Sequence, residues 1–197
     1  MATLLRFFRH ASPIAPAYLI MGATGWPSLN DIHVVDTIAS GTEIQWTRVS
    51  GAEVLAWISP PLAAGITLTT AEVRIGAKQS HVNANCGGRC RIFRRQPNGT
   101  ETELGGGPFD DGVEFTTSLA AYIWTCNFTD TAFNAGDRIL VKIYITNIGT
   151  MGGGYTCSMY VNNGGSDYGS LNFTAETPTF LPESARRGTH MLLGVGG

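Results

Sequence analysis

From Thr42 onward the apolar positions recur with period two, the spacing of a strand with one face turned to a core. Ile44 and Trp46 alternate with Gln45 and Thr47. After a Ser50-Gly51 turn, Val54, Ala56 and Ile58 alternate with Leu55 and Trp57. Pro60-Pro61 ends that strand, because proline has no N–H to give to a ladder. Ala71, Val73 and Ile75 alternate with Glu72 and Arg74, and residues 91–95 form a short strand running into a Pro97-Asn98-Gly99 turn. Val113, Phe115 and Thr117 follow, then a run to Thr125 that holds Tyr122, Ile123 and Trp124.

The clearest strand is 138–146. Ile139, Val141, Ile143 and Ile145 line one face, and Arg138, Leu140, Lys142 and Tyr144 the other. Four β-branched residues at strict period two suit a sheet face and would make a poor helix. Residues 155–161 alternate again, and Leu171, Phe173 and Ala175 form the last strand. Roughly eight strands divided by Gly, Pro, Asn and Asp turns, without helical periodicity, predict an all-β antiparallel sandwich or jelly roll.

The flanks read differently. Pro13, Pro16 and Pro27, with Gly22 and Gly25, leave only a short apolar helix or strand at 17–21. Three parts are therefore expected: an extended N-terminal arm over 1–40, the β-sandwich over 41–177, and an irregular C-terminal tail over 178–197. Arg6, Arg9 and His10 ahead of the apolar stretch 14–21 imitate a signal peptide. Pro13 and Pro16 break the imitation, and no small-residue cleavage site follows.

Composition narrows the function classes. Hydrophobic residues make up 43% of the 197, enough for a full core, while charged residues are only 14%, against about 25% in an ordinary soluble domain. Such a surface suits a protein that hides much of itself in contacts. A net charge of −2 gives no electrostatic case for nucleic acid or an anionic membrane, and no apolar run is long enough for a spanning helix.

The chemistry-bearing residues form no familiar constellation. Of the four histidines, His10, His33 and His190 fall in the expected arms, and His81 reads as a structural or surface residue. No nucleophile-elbow or zinc-protease motif occurs. Asp110-Asp111 are adjacent, point to opposite sides of an extended chain, and read as a solvated loop. The glycine runs 105–107 and 152–154 are turns that lack the strand, lysine and helix of a phosphate loop. Cys86 and Cys90 are separated by three residues, with Cys126 and Cys157 isolated. Free thiols, one disulfide or a metal site all remain open, with Cys157 read as a small apolar filler. Sequons at Asn98, Asn127 and Asn172 are read as chance. No catalytic residue, metal or cofactor is assigned, and the chain is expected not to be an enzyme. The aromatics Trp26, Tyr122, Trp124, Tyr155, Tyr160 and Tyr168 divide between core packing and a sugar platform, for which Trp124 and Tyr168 are the candidates.

The order of short motifs adds a resemblance. Trp57-Ile58-Ser59-Pro60-Pro61-Leu62 precedes a strand and then Ser80-His81-Val82-Asn83-Ala84-Asn85. Arg91-Ile92-Phe93-Arg94 follows with its Asn-Gly turn, then Gly136-Asp137-Arg138-Ile139, Gly149 to Tyr155, and Gly164 to Phe173. Over residues 40–177 this resembles a β-sandwich domain of tailed-bacteriophage virion structural proteins, of the decoration or cement type. The resemblance implies a capsid-surface subunit, a homo-oligomer with a trimer favoured, bound to the major capsid protein or other virion proteins. The alternative is a carbohydrate-binding, host-recognition module on the tail or a fibre. For the capsid reading, Leu4, Leu5, Phe7 and Phe8 in the arm and Leu192, Leu193 and Val195 in the tail are the expected contact residues.

Overall fold

A computed structural model describes residues 3–11, 18–22, 32–39, 44–45, 56–148, 155–162 and 168–181. The strands are β1 (Thr3–Ala11), β2 (Leu19–Gly22), β3 (Ile32–Ala39), β4 (Ile44–Gln45), β5 (Ala56–Ile58), β6 (Ile66–Gln79), β7 (Cys86–Arg95), β8 (Glu101–Glu103), β9 (Phe109–Glu114), β10 (Ala120–Phe133), β11 (Arg138–Asn147), β12 (Thr156–Asn162) and β13 (Ser170–Phe173). One 3-10 turn, Val82–Ala84, precedes β7. The all-β sandwich expected from the alternation is what the structure shows.

Hydrogen bonding runs β3-β12-β6-β13-β1-β2-β5-β11-β7-β8, with β10 on β6, β4 on β11 and β9 on β7. One layer is β3, β12, β10, β6, β13 and β1. The other is β5, β11, β4, β7, β8 and β9. Strand β2 connects them, antiparallel to β1 and parallel to β5, the one parallel pairing among the described strands. The long strand β6 carries β10 along one edge and shares the other between β12 and β13.

The arm expected over 1–40 is corrected by this topology, since β1, β2 and β3 are all sheet strands. Leu5 and Phe7 are fully buried. The Phe7 ring stacks on Trp57, centroids 4.7 Å apart. These two residues serve the chain's own core, not a neighbour. Pairing hid them from the sequence: β1 joins β13, some 165 residues away, through Leu4 opposite Asn172 and Leu5 opposite Leu171. Leu4 and Phe8 occupy the alternate positions of β1. Leu192, Leu193 and Val195 lie outside the described residues.

The two inner faces form one apolar core, in which Trp57, Trp124, Phe7, Phe115 and Phe173 are the largest fully buried side chains. Each such burial contributes about 1.5–3 kcal/mol. Ile139, Val141 and Ile143 face this core as expected. Leu140, on the opposite face of β11, is buried too, with Ala56 and Ile58 beneath Tyr18 and Phe93. Asp110 and Asp111, expected in a loop, are strand residues of β9.

Candidate functional site

Among the described residues, a constellation of polar side chains covers the outer face of the β5-β11-β7-β8 layer, over that second small core. The hairpin that joins β7 to β8 through the Asn98-Gly99 turn pairs Arg95 with Glu101 and Phe93 with Glu103. Strand β11 lies on the other side of β7 and sets Lys142 opposite Arg91. Side chains at alternate positions therefore stand on one face. Glu101 sits at their centre. It accepts hydrogen bonds from the Tyr18 hydroxyl at 2.5 Å, Lys142 Nζ at 2.8 Å and Arg95 at 3.0 Å. A second pair, Arg91 with Glu103 at 3.3 Å, continues the row.

Each aromatic ring in this row carries a cation. Lys142 Nζ lies 4.3 Å from the Phe93 centroid, Arg91 5.4 Å from Tyr144 and Arg95 5.4 Å from Tyr18. The electrostatics follow from these contacts. Burial alone would push the Glu101 carboxyl up, but the hydrogen bonds from Lys142 and Tyr18 and the charges of Lys142 and Arg95 hold it below the usual range. Burial, reinforced by the bond to Glu101 and its charge, pushes the Tyr18 phenol up to about 12. Burial likewise raises Tyr144. With three donors on its carboxylate, Glu101 is a clasp holding Tyr18 and β8 to the sheet.

The sequence carries a signal for this cluster in Asn98-Gly99. Asn-Gly between two short polar runs signals a hairpin, and a two-residue loop there would set Arg95 against Thr102. The chain instead closes a longer loop, with the Gln96 N–H donating to the Thr100 carbonyl, that sets Arg95 against Glu101. Tyr18 had no such signal, because β2 reaches the site only through its long-range pairing with β5.

The sugar-platform candidates separate. Trp124 is 1% exposed, wedged between the layers where a Cβ on Gly88 would lie 2.6 Å from its ring. The alternative of an exposed platform at Trp124, held beside the favoured core packing, is therefore corrected: its position on β10 points inward with Tyr122 and Cys126. Its Nε1 is buried without a hydrogen-bond partner among the described residues. Tyr168 is half-buried on the outer face of the other layer, its ring resting on Gly76 of β6, where an added Cβ would come within 2.8 Å. Tyr160 pairs with Gly76 from β12, and Lys78 lies over its ring at 5.7 Å. Trp26 lies outside the described residues.

His81 is exposed, stacks on Tyr155 at 4.7 Å and accepts the Asn83 N–H at Nδ1, which caps the 3-10 turn. Among the described residues no group of three His, Cys, Asp or Glu side chains is placed to hold a metal ion. The cysteines depart from the filler reading. Cys86 and Cys157 form a disulfide across the core, and Cys90 and Cys126 are buried thiols. Among the described residues, the large apolar side chains left exposed are Val82, Val113, Ile123 and Leu181.

No family model and no curated protein matches the sequence. Solved structures do match the fold. An aminopeptidase from a marine sediment Thaumarchaeota archaeon aligns over 87% of this chain with TM-score 0.57 and 12% identity. A CocE/NonD family hydrolase from Staphylococcus aureus aligns over 92% with TM-score 0.54 and 10% identity. An alpha-amino acid ester hydrolase aligns over 87% with TM-score 0.53 and 12% identity. This chain spans 36% of the length of each. At such identities the likeness shows the fold. It also corrects the expectation that the chain is not an enzyme, to the extent that these solved structures sharing its fold are hydrolases. What the comparisons establish is a β-sandwich of the kind found as about a third of these hydrolase chains.

Proposed function

We propose that the chain is a structural β-sandwich of a virion, set on the capsid surface as a decoration subunit that binds neighbouring coat subunits. The observation that carries this reading is the disulfide Cys86–Cys157, which ties the two layers together. Disulfides persist in oxidising settings such as virion and cell surfaces and are rare in reducing ones. Low charge and exposed Val82, Val113, Ile123 and Leu181 agree with a surface finished by protein contacts. Since Leu5 and Phe7 are spent on the core, adhesion falls to these exposed positions. The test is to separate purified particles into heads and tails and quantify this chain in each. Many copies travelling with the heads support the proposal, and copies confined to the tails or absent from particles overturn it.

A second reading rests on the hydrolase likeness. The chain would be a β-sandwich domain that packs on the catalytic part of a larger hydrolase, consistent with a match over most of this chain and 36% of theirs. Assay of the full polypeptide on aminoacyl esters and anilides, with and without this domain, separates the two. Activity lost with the domain favours the hydrolase and counts against the capsid.

A further inference from the structure

The four cysteines all lie in the core, yet only one pair is bonded. Cys86 opens β7 and is joined to Cys157 of β12 in the opposite layer. Four residues along, on the same inward face of β7, Cys90 meets Cys126 of β10, also in the opposite layer. Their sulfurs are 3.6 Å apart, and both side chains are fully buried. We propose that Cys90 and Cys126 are a second cross-layer disulfide site, so that β7 is tied to the opposite sheet at two points.

Two geometric facts support this. The sulfurs already face each other across the core at 3.6 Å, and closing to a bond length near 2.05 Å needs a movement of about 1.5 Å. The first bridge fixes β7 at Cys86 and so limits the separation at Cys90. Burial raises the Cys90 thiol well above its ordinary range, with the Cys126 hydrogen bond adding to it. The attacking thiolate is therefore scarce once the sandwich has closed. Bond formation belongs to the folding chain, before the layers shut.

The chemistry balances with a small-molecule disulfide such as glutathione disulfide as oxidant. Cys126 or Cys90 thiolate attacks it, forming a mixed disulfide and releasing one glutathione thiolate. The other cysteine thiolate then attacks the protein sulfur of that mixed disulfide and releases the second. The two protons lost by the protein thiols are taken up by the two glutathione thiolates. One S–S bond is broken and one is formed.

The test is to reduce the full chain, refold it in a buffer of reduced and oxidised glutathione, and trap remaining thiols with a maleimide in denaturant. Intact mass should show no adduct. A non-reduced tryptic digest should join Cys90 to Cys126, since cleavage after Arg89 separates Cys86 from Cys90 and cleavage after Arg138 separates Cys126 from Cys157. Two maleimides per chain at Cys90 and Cys126, or Cys90 joined to another cysteine, overturns the proposal. The C86A/C157A variant retains just the second pair and should also take up no maleimide. Should that variant not fold, the digest of the unmodified chain decides alone.

Discussion

The space between the layers and the outer face of β5-β11-β7-β8 are both ordered, by different physics. Between the layers, Phe7, Trp57, Phe115, Trp124 and Phe173 fill volume, and a disulfide crosses the gap. Geometry there is fixed by close packing, and a change of one methyl group is felt. Over the outer face, Tyr18, Phe93, Arg95, Glu101 and Lys142 cover the small cluster of Ala56, Ile58 and Leu140 with charge-assisted hydrogen bonds and cations on rings. Water reaches that side and screens it. The contrast teaches that the inner contacts set stability, while the outer ones set register and hold β2 and β8 in place.

Substitutions should break that contrast in a graded order. Largest is removal of the inter-layer bridge in C86A/C157A, a loop of 71 residues, which should cost about 4 kcal/mol, read by urea unfolding. Trp57→Ala should cost a comparable amount, about 3–5 kcal/mol, in the same assay and with it the stacking of Phe7. Gly88→Val forces a Cβ to within 2.6 Å of Trp124 and 2.7 Å of Phe115, a clash with two core rings that should cost about 1–3 kcal/mol. A stability change near zero in any of the three would show that the core is looser than its packing.

Smallest is Glu101→Gln, expected to cost about 0.5–1 kcal/mol at neutral pH and to be sensitive to salt. Its pH signature is sharper than its size. Because the folded carboxyl sits below its unfolded value, its contribution is complete above about pH 4.3 and fades as pH falls through the lower folded value. Thermal melts against pH should therefore converge for parent and E101Q in acid. At the alkaline end the sign reverses. Tyr18 is raised to about 12, so its share is complete below about pH 10 and is lost as pH climbs toward 12, which ultraviolet titration of the parent against Tyr18→Phe reads directly.

How much of this was legible in the chain depends on how local the cause is. The faces of β11 and β12 follow from alternation alone, and Pro60-Pro61 marks the end of β5 and Asn98-Gly99 the turn between β7 and β8 without help. The same reading stopped short at β10, which continues to Phe133, and at β7, which begins at Cys86 across Gly87-Gly88. Glycines there look like a turn in sequence. In the structure they sit where Trp124, Phe115 and Ile148 come too close for a Cβ.

By itself the sequence determined the class: period-two apolar runs with turn residues between them leave an antiparallel sandwich as the way to bury one face of each strand. Only the tertiary structure decided that the N-terminal segment is sheet and not arm. It likewise decided that Trp124 is core and not platform, which cysteines meet, and that Tyr18 reaches Glu101. Each of these joins residues far apart in the chain, from 36 between Cys90 and Cys126 and 83 between Tyr18 and Glu101 to 166 between Leu5 and Leu171. Period and propensity say which way a side chain points from its own strand. They carry no record of what a distant strand brings to meet it.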